Sequence, residues 1–321
     1  MGGMPERVIG VDVGGTKVAV ATLRGGALED KRLHPTNLDS PEALIDQVVE
    51  AIHELAGEEG FCAVGVGLPS VIEWETGRVR SSVNIPLRDV PLRQVLRDRL
   101  EVPVFVDNDA NVAALSEAHD DEGNLDTRHL VMLTVGTGVG GGVIIDGRVF
   151  RGATGAAPEL GHWIIGADLS HGTPEHRDKA PQPGSLEALA AGKALDALGE
   201  ERGLGKGPDV VEAAKNGEPA AVEALALLGH RLGVGIANAI NAFDPEVVAI
   251  GGGVSTAGHL LLDPARETAG RFVLPGVGTR TEIRLARSGP EAGVRGAALL
   301  ARQELALESG TTTTTEIGDP A

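Results

Sequence analysis

The chain has 321 residues, with 28 basic against 46 acidic side chains and a net charge of −18. Binding a polyanion needs a positive surface, so the charge argues against nucleic acid as the main partner, and a single cysteine, Cys62, excludes a disulfide scaffold or a cysteine-rich zinc site. The 46 glycines are about twice the usual share, and they follow no G-X-Y period, which excludes collagen.

The residues up to Arg7 contain no apolar segment of signal type, and no uninterrupted run of about 18 apolar residues occurs. A cytoplasmic protein with no membrane span is the expectation. Residues 8–13 read as a buried strand and 18–23 as a second, joined through Gly14, Gly15 and Thr16 as a hairpin. Residues 41–56 place Leu44, Ile45, Val48, Val49, Ile52 and Leu55 on one helical face. Asp39 and Ser40 are candidate caps, Pro41 suits the first turn and Gly57 the stop. Strands are expected over 63–68 and 102–106, with a helix over 92–100 between them. A helix over 111–118 is entered from the corner Asp107-Asn108-Asp109. Residues 130–135 then repeat the opening pattern: a strand runs into the turn Gly136-Thr-Gly-Val-Gly-Gly-Gly142 and returns over 143–145. A long helix over 222–243, a strand over 247–250, a tight turn at Gly251 to Gly253 and a last helix over 293–307 complete the order. The tail 309–321, with five consecutive threonines, reads as disordered.

Two strand–turn–strand units at a spacing of about 120 residues suggest two similar halves. Alternating strands and helices give the α/β class, and a hairpin opening each half makes the sheets mixed.

Gly136-x-Gly138-x-x-Gly141 matches the dinucleotide fingerprint in letters. That fingerprint needs a helix directly after the glycines, whereas Val143-Ile-Ile-Asp-Gly147 reads as a strand and a turn. Gly192-Lys193 and Gly205-Lys206 lack the hydroxyl residue of a Walker A loop. A tight glycine hairpin can still converge its backbone N–H groups on an anion. Asp12-x-Gly14-Gly15-Thr16-Lys17 adds a hydroxyl and an ammonium, and Gly136-Thr137-Gly138 supplies a second set. Taken singly, each turn is only a hairpin; two in equivalent positions, with Gly251-Gly252-Gly253 behind a third strand, point to polyphosphate. Asp12 suits a water-mediated Mg²⁺ partner.

These segments resemble the ROK family of repressors, open reading frames and kinases, and within it the bacterial glucokinases. The resemblance rests on Asp12-Val-Gly-Gly-Thr-Lys17, Gly65-Val-Gly-Leu-Pro69, Asn84-Ile-Pro86, Asp107-Asn-Asp-Ala-Asn111, Leu133-Thr-Val-Gly-Thr-Gly-Val-Gly-Gly-Gly142, Arg151-Gly152, Glu159-Leu-Gly-His162, Leu186-Glu187 and Asp244-Pro-Glu-Val-Val-Ala-Ile-Gly-Gly-Gly-Val254, in that order. It implies an actin-like, ribonuclease-H-like two-domain sugar kinase with its ligand cleft between the domains. The smaller domain would take residues 5–113 and 294–308 and the larger 114–293. It implies ATP with Mg²⁺ as phosphate donor and phosphorylation of a hexose 6-hydroxyl, glucose first, with mannose, fructose and N-acetylmannosamine as alternatives. Asp109 would be the general base, and Asn84, Asn108, Asp109, Glu159, His162 and Glu187 the sugar ligands. Asp12, Gly14, Gly15, Thr16, Lys17, Thr137, Gly138, Gly252 and Gly253 would hold the nucleotide. On the residues alone, Asp109 reads first as a helix cap, His162 as a core or surface histidine and Glu187 as a first-turn residue, and it is the resemblance that reverses this.

The chain also departs from the resemblance. Most relatives bind a structural zinc through three cysteines and the histidine at the position of His162, but residues 163–184 contain no cysteine, so no zinc is expected. His171, His176, Asp168 and Asp178 in that segment read as a solvated loop, and Ser70 and Pro158 stand where glycine is usual. A sugar-responsive repressor would need a helix-turn-helix before Asp12. A binding-only protein would not need Asp12, Lys17, Asp109, Glu159 and His162 together. A polyphosphate donor would want a basic track, of which Arg93, Arg97 and Arg99 are the nearest trace. A homodimer is expected by analogy.

Overall fold

The computed structural model describes residues 7–82 and 84–310. Most of the expected tail, from Thr311 onward, lies outside the described residues. The chain divides into two compact units. The first takes the described parts of Met1–Ser116, Asp121–Asn124 and Glu291–Ala321; the second takes Glu117–Asp120 and Leu125–Pro290.

The first unit opens with strands β1 (Val8–Val13), β2 (Lys17–Arg24) and β3 (Ala27–Pro35), followed by helix α1 (Pro41–Ala56). The short apolar runs of β1 and β2 are buried almost throughout, as a strand covered on both faces must be. The helix starts where Ser40 Oγ accepts the N–H of Ala43 at 3.1 Å and stops at Gly57, whose φ of 55° closes the last turn. Strand β4 (Ala63–Leu68), the hairpin β5 (Ser70–Glu73) and β6 (Arg78–Ser82), helix α2 (Leu92–Leu100) and strand β7 (Val104–Asn108) follow. Helix α3 (Asp109–Glu117) leaves the end of β7 directly. The sheet order is β3-β2-β1-β4-β7, antiparallel between β1 and β2 and between β2 and β3, parallel from β1 through β4 to β7. Helices α1 and α2 seal one face with a buried aliphatic core.

The second unit repeats this plan. Strands β8 (Leu130–Val135), β9 (Val139–Ile145) and β10 (Arg148–Val149) precede helices α4 (Leu186–Ala190), α5 (Gly192–Glu201), α6 (Gly207–Lys215) and α7 (Pro219–Phe243). Strand β11 (Val247–Gly251), helix α8 (His259–Phe272) and strand β12 (Glu282–Leu285) complete it. The order β10-β9-β8-β11-β12 matches the first sheet strand for strand, with the same parallel and antiparallel steps. Two mixed sheets of one topology are what the actin-like expectation requires. Helix α7 is long and apolar enough by length and composition to cross a membrane. In this fold its apolar surface is spent inside the unit, on α4, α6 and α8. Helix α9 (Ala292–Glu308) then returns to the first unit and lies on β1, β2 and β4.

Several boundaries differ from the sequence reading. Strand β7 runs over 104–108 instead of 102–106 because Pro103 precedes it, and α3 starts two residues earlier than expected. Residues 139–142, read as part of a long glycine turn, belong to strand β9. Its glycines pair with Met132, Leu133 and Thr134, and Gly141 lets Leu160 lie against the strand. The turn itself is only Gly136 to Gly138.

Candidate active site

In the first unit the turn between β1 and β2 is closed by Gly14 N–H donating to Lys17 O at 2.9 Å. Thr36 braces it twice, with its hydroxyl on Gly14 O at 2.7 Å and its N–H on Thr16 O at 3.2 Å. Thr16 and Lys17 are exposed at the tip. Asn84 packs against Gly15 so closely that a Cβ there would meet the Asn84 side chain at 2.9 Å.

Asp12, at the end of β1, is mostly buried. Burial first, and then the charge of Asp109, push its carboxyl up from 3.8 to about 6, with Lys17 pulling the other way. A Cβ on Gly293, in the first turn of α9, would meet Asp12 Oδ2 at 2.5 Å. Asp109 is the first residue of α3, and burial raises its affinity for a proton as well. The N–H groups of Ala110 and of Asp109 itself, and the Asn108 side chain, offset part of that rise. The capping duty on α3 falls largely to Asn108, whose Oδ1 accepts the N–H of Ala110 at 2.9 Å and of Asn111 at 3.3 Å. Asn108 Nδ2 donates to Ser70 O at 3.4 Å. Buried Asp107, named in the sequence as part of this corner but given no role there, holds it by accepting from Asn108 N–H and Asn111 Nδ2. Asp109 is thereby left as a buried carboxylate near a second one, which is the environment that tunes a general base.

In the second unit the turn between β8 and β9 closes with Gly136 N–H on Gly138 O at 2.9 Å. Gly252 has a φ of 85°, and a side chain there would also strike the backbone of Val135, so glycine is required on both counts. Glu187, in the first turn of α4, accepts the N–H of Val139 through Oε2 at 2.9 Å. Thr137 and Gly253 line a cleft of about 650 Å³ together with Gly136, Gly192, Pro208 and Val211. Lys193, Asp196, Glu212 and Lys215 supply its charged rim. A cleft of this size suits a nucleoside. Its walls come from α5 and α6, which no sequence motif announced.

Glu159 precedes and His162 ends a single 3-10 turn, Leu160–His162, with His162 Nε2 3.8 Å from Glu159 Oε2 and both side chains exposed. The segment beyond His162 is not left loose by the lack of cysteines. Leu186 N–H donates to Trp163 O at 2.7 Å, and Ile165 N–H to Gly184 O at 2.8 Å. Trp163 stacks on Phe243 with ring centroids 6.4 Å apart. These contacts tie His162 to Glu187 through their immediate neighbours. Between the clamped ends, His171, His176, Asp168 and Asp178 are all exposed. Among the described residues no three His, Cys, Asp or Glu side chains gather as a metal site.

The profile of the ROK family matches residues 8–304. A glucokinase from Halalkalibacterium halodurans is 35 % identical over 329 residues, covering 95 % of this chain and 98 % of that one. An N-acetyl-D-glucosamine kinase from Vibrio parahaemolyticus is 34 % identical over 309 residues, covering 91 % and 98 %. The solved structure of a ROK family glucokinase from Streptomyces griseus in complex with glucose and AMPPNP matches with a TM-score of 0.73 and 32 % identity, covering 92 % of this chain and 99 % of that chain.

Proposed function

The chain belongs to the ROK family, and from that premise we propose that it transfers the γ-phosphate of ATP to the 6-hydroxyl of a hexose, with glucose as the preferred substrate. The observation that carries this reading is Asp109: a mostly buried carboxylate of raised proton affinity, fixed at the start of α3 by the Asn108 and Asp107 corner. A sugar alcohol is a weak nucleophile at neutral pH. Asp109 takes the proton of the 6-hydroxyl as its oxygen forms the new bond to phosphorus, while the bond from phosphorus to the ADP oxygen breaks. Asn84, Asn108, Glu159, His162 and Glu187 offer the amide and carboxylate partners that vicinal hydroxyls require. Gly14, Gly15, Thr16 and Lys17 in one unit, and Thr137, Gly138, Gly252 and Gly253 in the other, are assigned to the nucleotide. The cleft beside Thr137 favours a nucleoside donor over polyphosphate.

Asp12 fits a divalent cation carried by the nucleotide. Its carboxylate and that of Asp109 repel each other, with Lys17 alone opposing, and Mg²⁺ would neutralise phosphate charge beside them.

The test is ADP release with MgATP across glucose, mannose, fructose, N-acetylglucosamine and N-acetylmannosamine, repeated with Asp109→Asn. The N-acetyl sugars belong in the panel because of the Vibrio relative. Glucose should give the highest kcat/KM, and the variant should lose about 10²–10⁴ in kcat. No turnover on any hexose would sink the reading.

A further inference from the structure

Resting on that reading, we infer that Glu187 is a positioning residue that joins the sugar to the nucleotide turn through its two carboxylate oxygens. The turn Gly136 to Gly138 has one internal hydrogen bond, and it is tethered at both ends by a single stretch of chain. Gly192 N–H donates to Gly136 O at 2.7 Å at one end. Val139 N–H donates to Glu187 Oε2 at 2.9 Å at the other. Helix α4 and its exit thus grip the turn like a bracket. Gly192 and Gly136 themselves line the cleft.

The contact is built into the sequence. A Cβ at Gly138 would run into Glu187 Oε2, so glycine there makes room for the carboxylate. Ser185 fixes the start of α4 by accepting the N–H of Ala188 at 3.2 Å, and Ala191 N–H on Glu187 O closes it. The equivalent turn of the first unit is braced differently, by the neutral hydroxyl and N–H of Thr36. Among the described residues, the second turn is the one braced by an ionisable side chain. Among the described residues Glu187 Oε1 has no hydrogen-bond partner, so it is open to a sugar hydroxyl while Oε2 stays on Val139. A sugar that orders this carboxylate orders the turn, and by reciprocity nucleotide on the turn favours the sugar.

The experiment is calorimetric titration of the full chain with AMPPNP, with and without saturating glucose, for wild type, Glu187→Gln and Glu187→Ala. The wild type should bind AMPPNP at least about fivefold tighter with glucose present. Glu187→Ala should weaken AMPPNP binding about tenfold even without sugar and lose the glucose effect. Glu187→Gln, whose amide oxygen still accepts from Val139, should keep sugar-free AMPPNP affinity within about threefold of wild type. If the Ala variant does not fold in a thermal melt, Glu187→Asp, too short to reach Val139, takes its place with the same expectation. Unchanged sugar-free affinity in the Ala variant, or a glucose effect that survives in it, would overturn the inference and leave the kinase reading standing. A wild-type chain that binds neither ligand would overturn both.

Discussion

Replacing Asp12 with Asn should make the protein more stable and less active, and the gain in stability should depend on pH. Folding raises the Asp12 carboxyl from 3.8 to about 6, chiefly by burial and then by the charge of Asp109. Below the unfolded value the group is neutral in both states and has no effect on folding. As pH rises through about 6 the folded protein must ionise a buried group that the unfolded chain ionises freely, and stability is lost. A shift of about two units corresponds to about 3 kcal/mol above that window. Asparagine is neutral throughout, so Asp12→Asn should gain up to about 3 kcal/mol at pH 8 and almost nothing at pH 4. For a unit of this size each kcal/mol moves Tm by about 2–4 °C. The check is thermal unfolding of both proteins from about pH 4 to 8, followed in parallel by ADP release. Activity should fall, because the carboxylate assigned to the cation is gone. A gain of equal size at every pH, or a loss of stability at pH 8, would refute the assignment of a buried, charged Asp12.

Gly293→Ala should improve helix propensity in α9 by about 1 kcal/mol yet lower kcat at least tenfold, because its methyl would displace the Asp12 carboxylate; steady-state kinetics beside a melt separates the two effects. Trp163→Ala removes the stack on Phe243 and should cost about 3 kcal/mol. It should also raise KM for the sugar by more than it lowers kcat, since His162 and Glu187 lose their shared support. Glu117, fully buried at the end of α3, pairs with Arg284 and accepts the N–H groups of Arg287 and Ser288. Glu117→Gln should destabilise the second unit by about 3–5 kcal/mol, read by denaturant unfolding, because it removes the buried carboxylate on the Arg284 guanidinium and leaves only exposed Glu282 beside it.

How much of this was legible in the sequence varies with the kind of signal. Helix α1 was readable to the residue because an apolar stripe, a serine cap, a first-turn proline and a closing glycine agree. Strands β4 and β8 and helix α2 were equally plain. Strand β3 was missed because it is an edge strand of mostly exposed residues, with no alternation to read. Helix α8 was missed because Pro264 stands inside it, and α5 and α6 because glycine begins both and short alanine-rich segments carry little periodicity. For the site, the motif residues were visible as letters, but their working partners were not. Thr36, Asp107 and Ser70 act through backbone groups brought near by pairing across the sheet or by hairpin geometry. The walls of the nucleoside-sized cleft come from those same unannounced helices. Spacing along the chain cannot reveal that Asn108 spends its oxygen on capping or that Glu187 reaches the backbone of Val139.

The return of α9 to the first unit sets an order of events during synthesis. The glycines of β1 and β4, Gly10 and Gly65, are bare so that the backbone of α9 at Val294 and Ala297 can lie directly against them. On that face α3 reaches β4 at Gly67, but the places of Gly10 and Gly65 lack their cover until the last helix emerges, roughly 15–60 s after β1 at about 5–20 residues per second. The segment Leu125–Pro290, by contrast, is continuous and complete before α9 begins. Once Pro290 has cleared the ribosome, the second unit can form its cleft while the first still lacks α9 beside Asp12. The continuous unit that carries the cleft therefore does not wait for α9, whereas the sheet that carries Asp12 does.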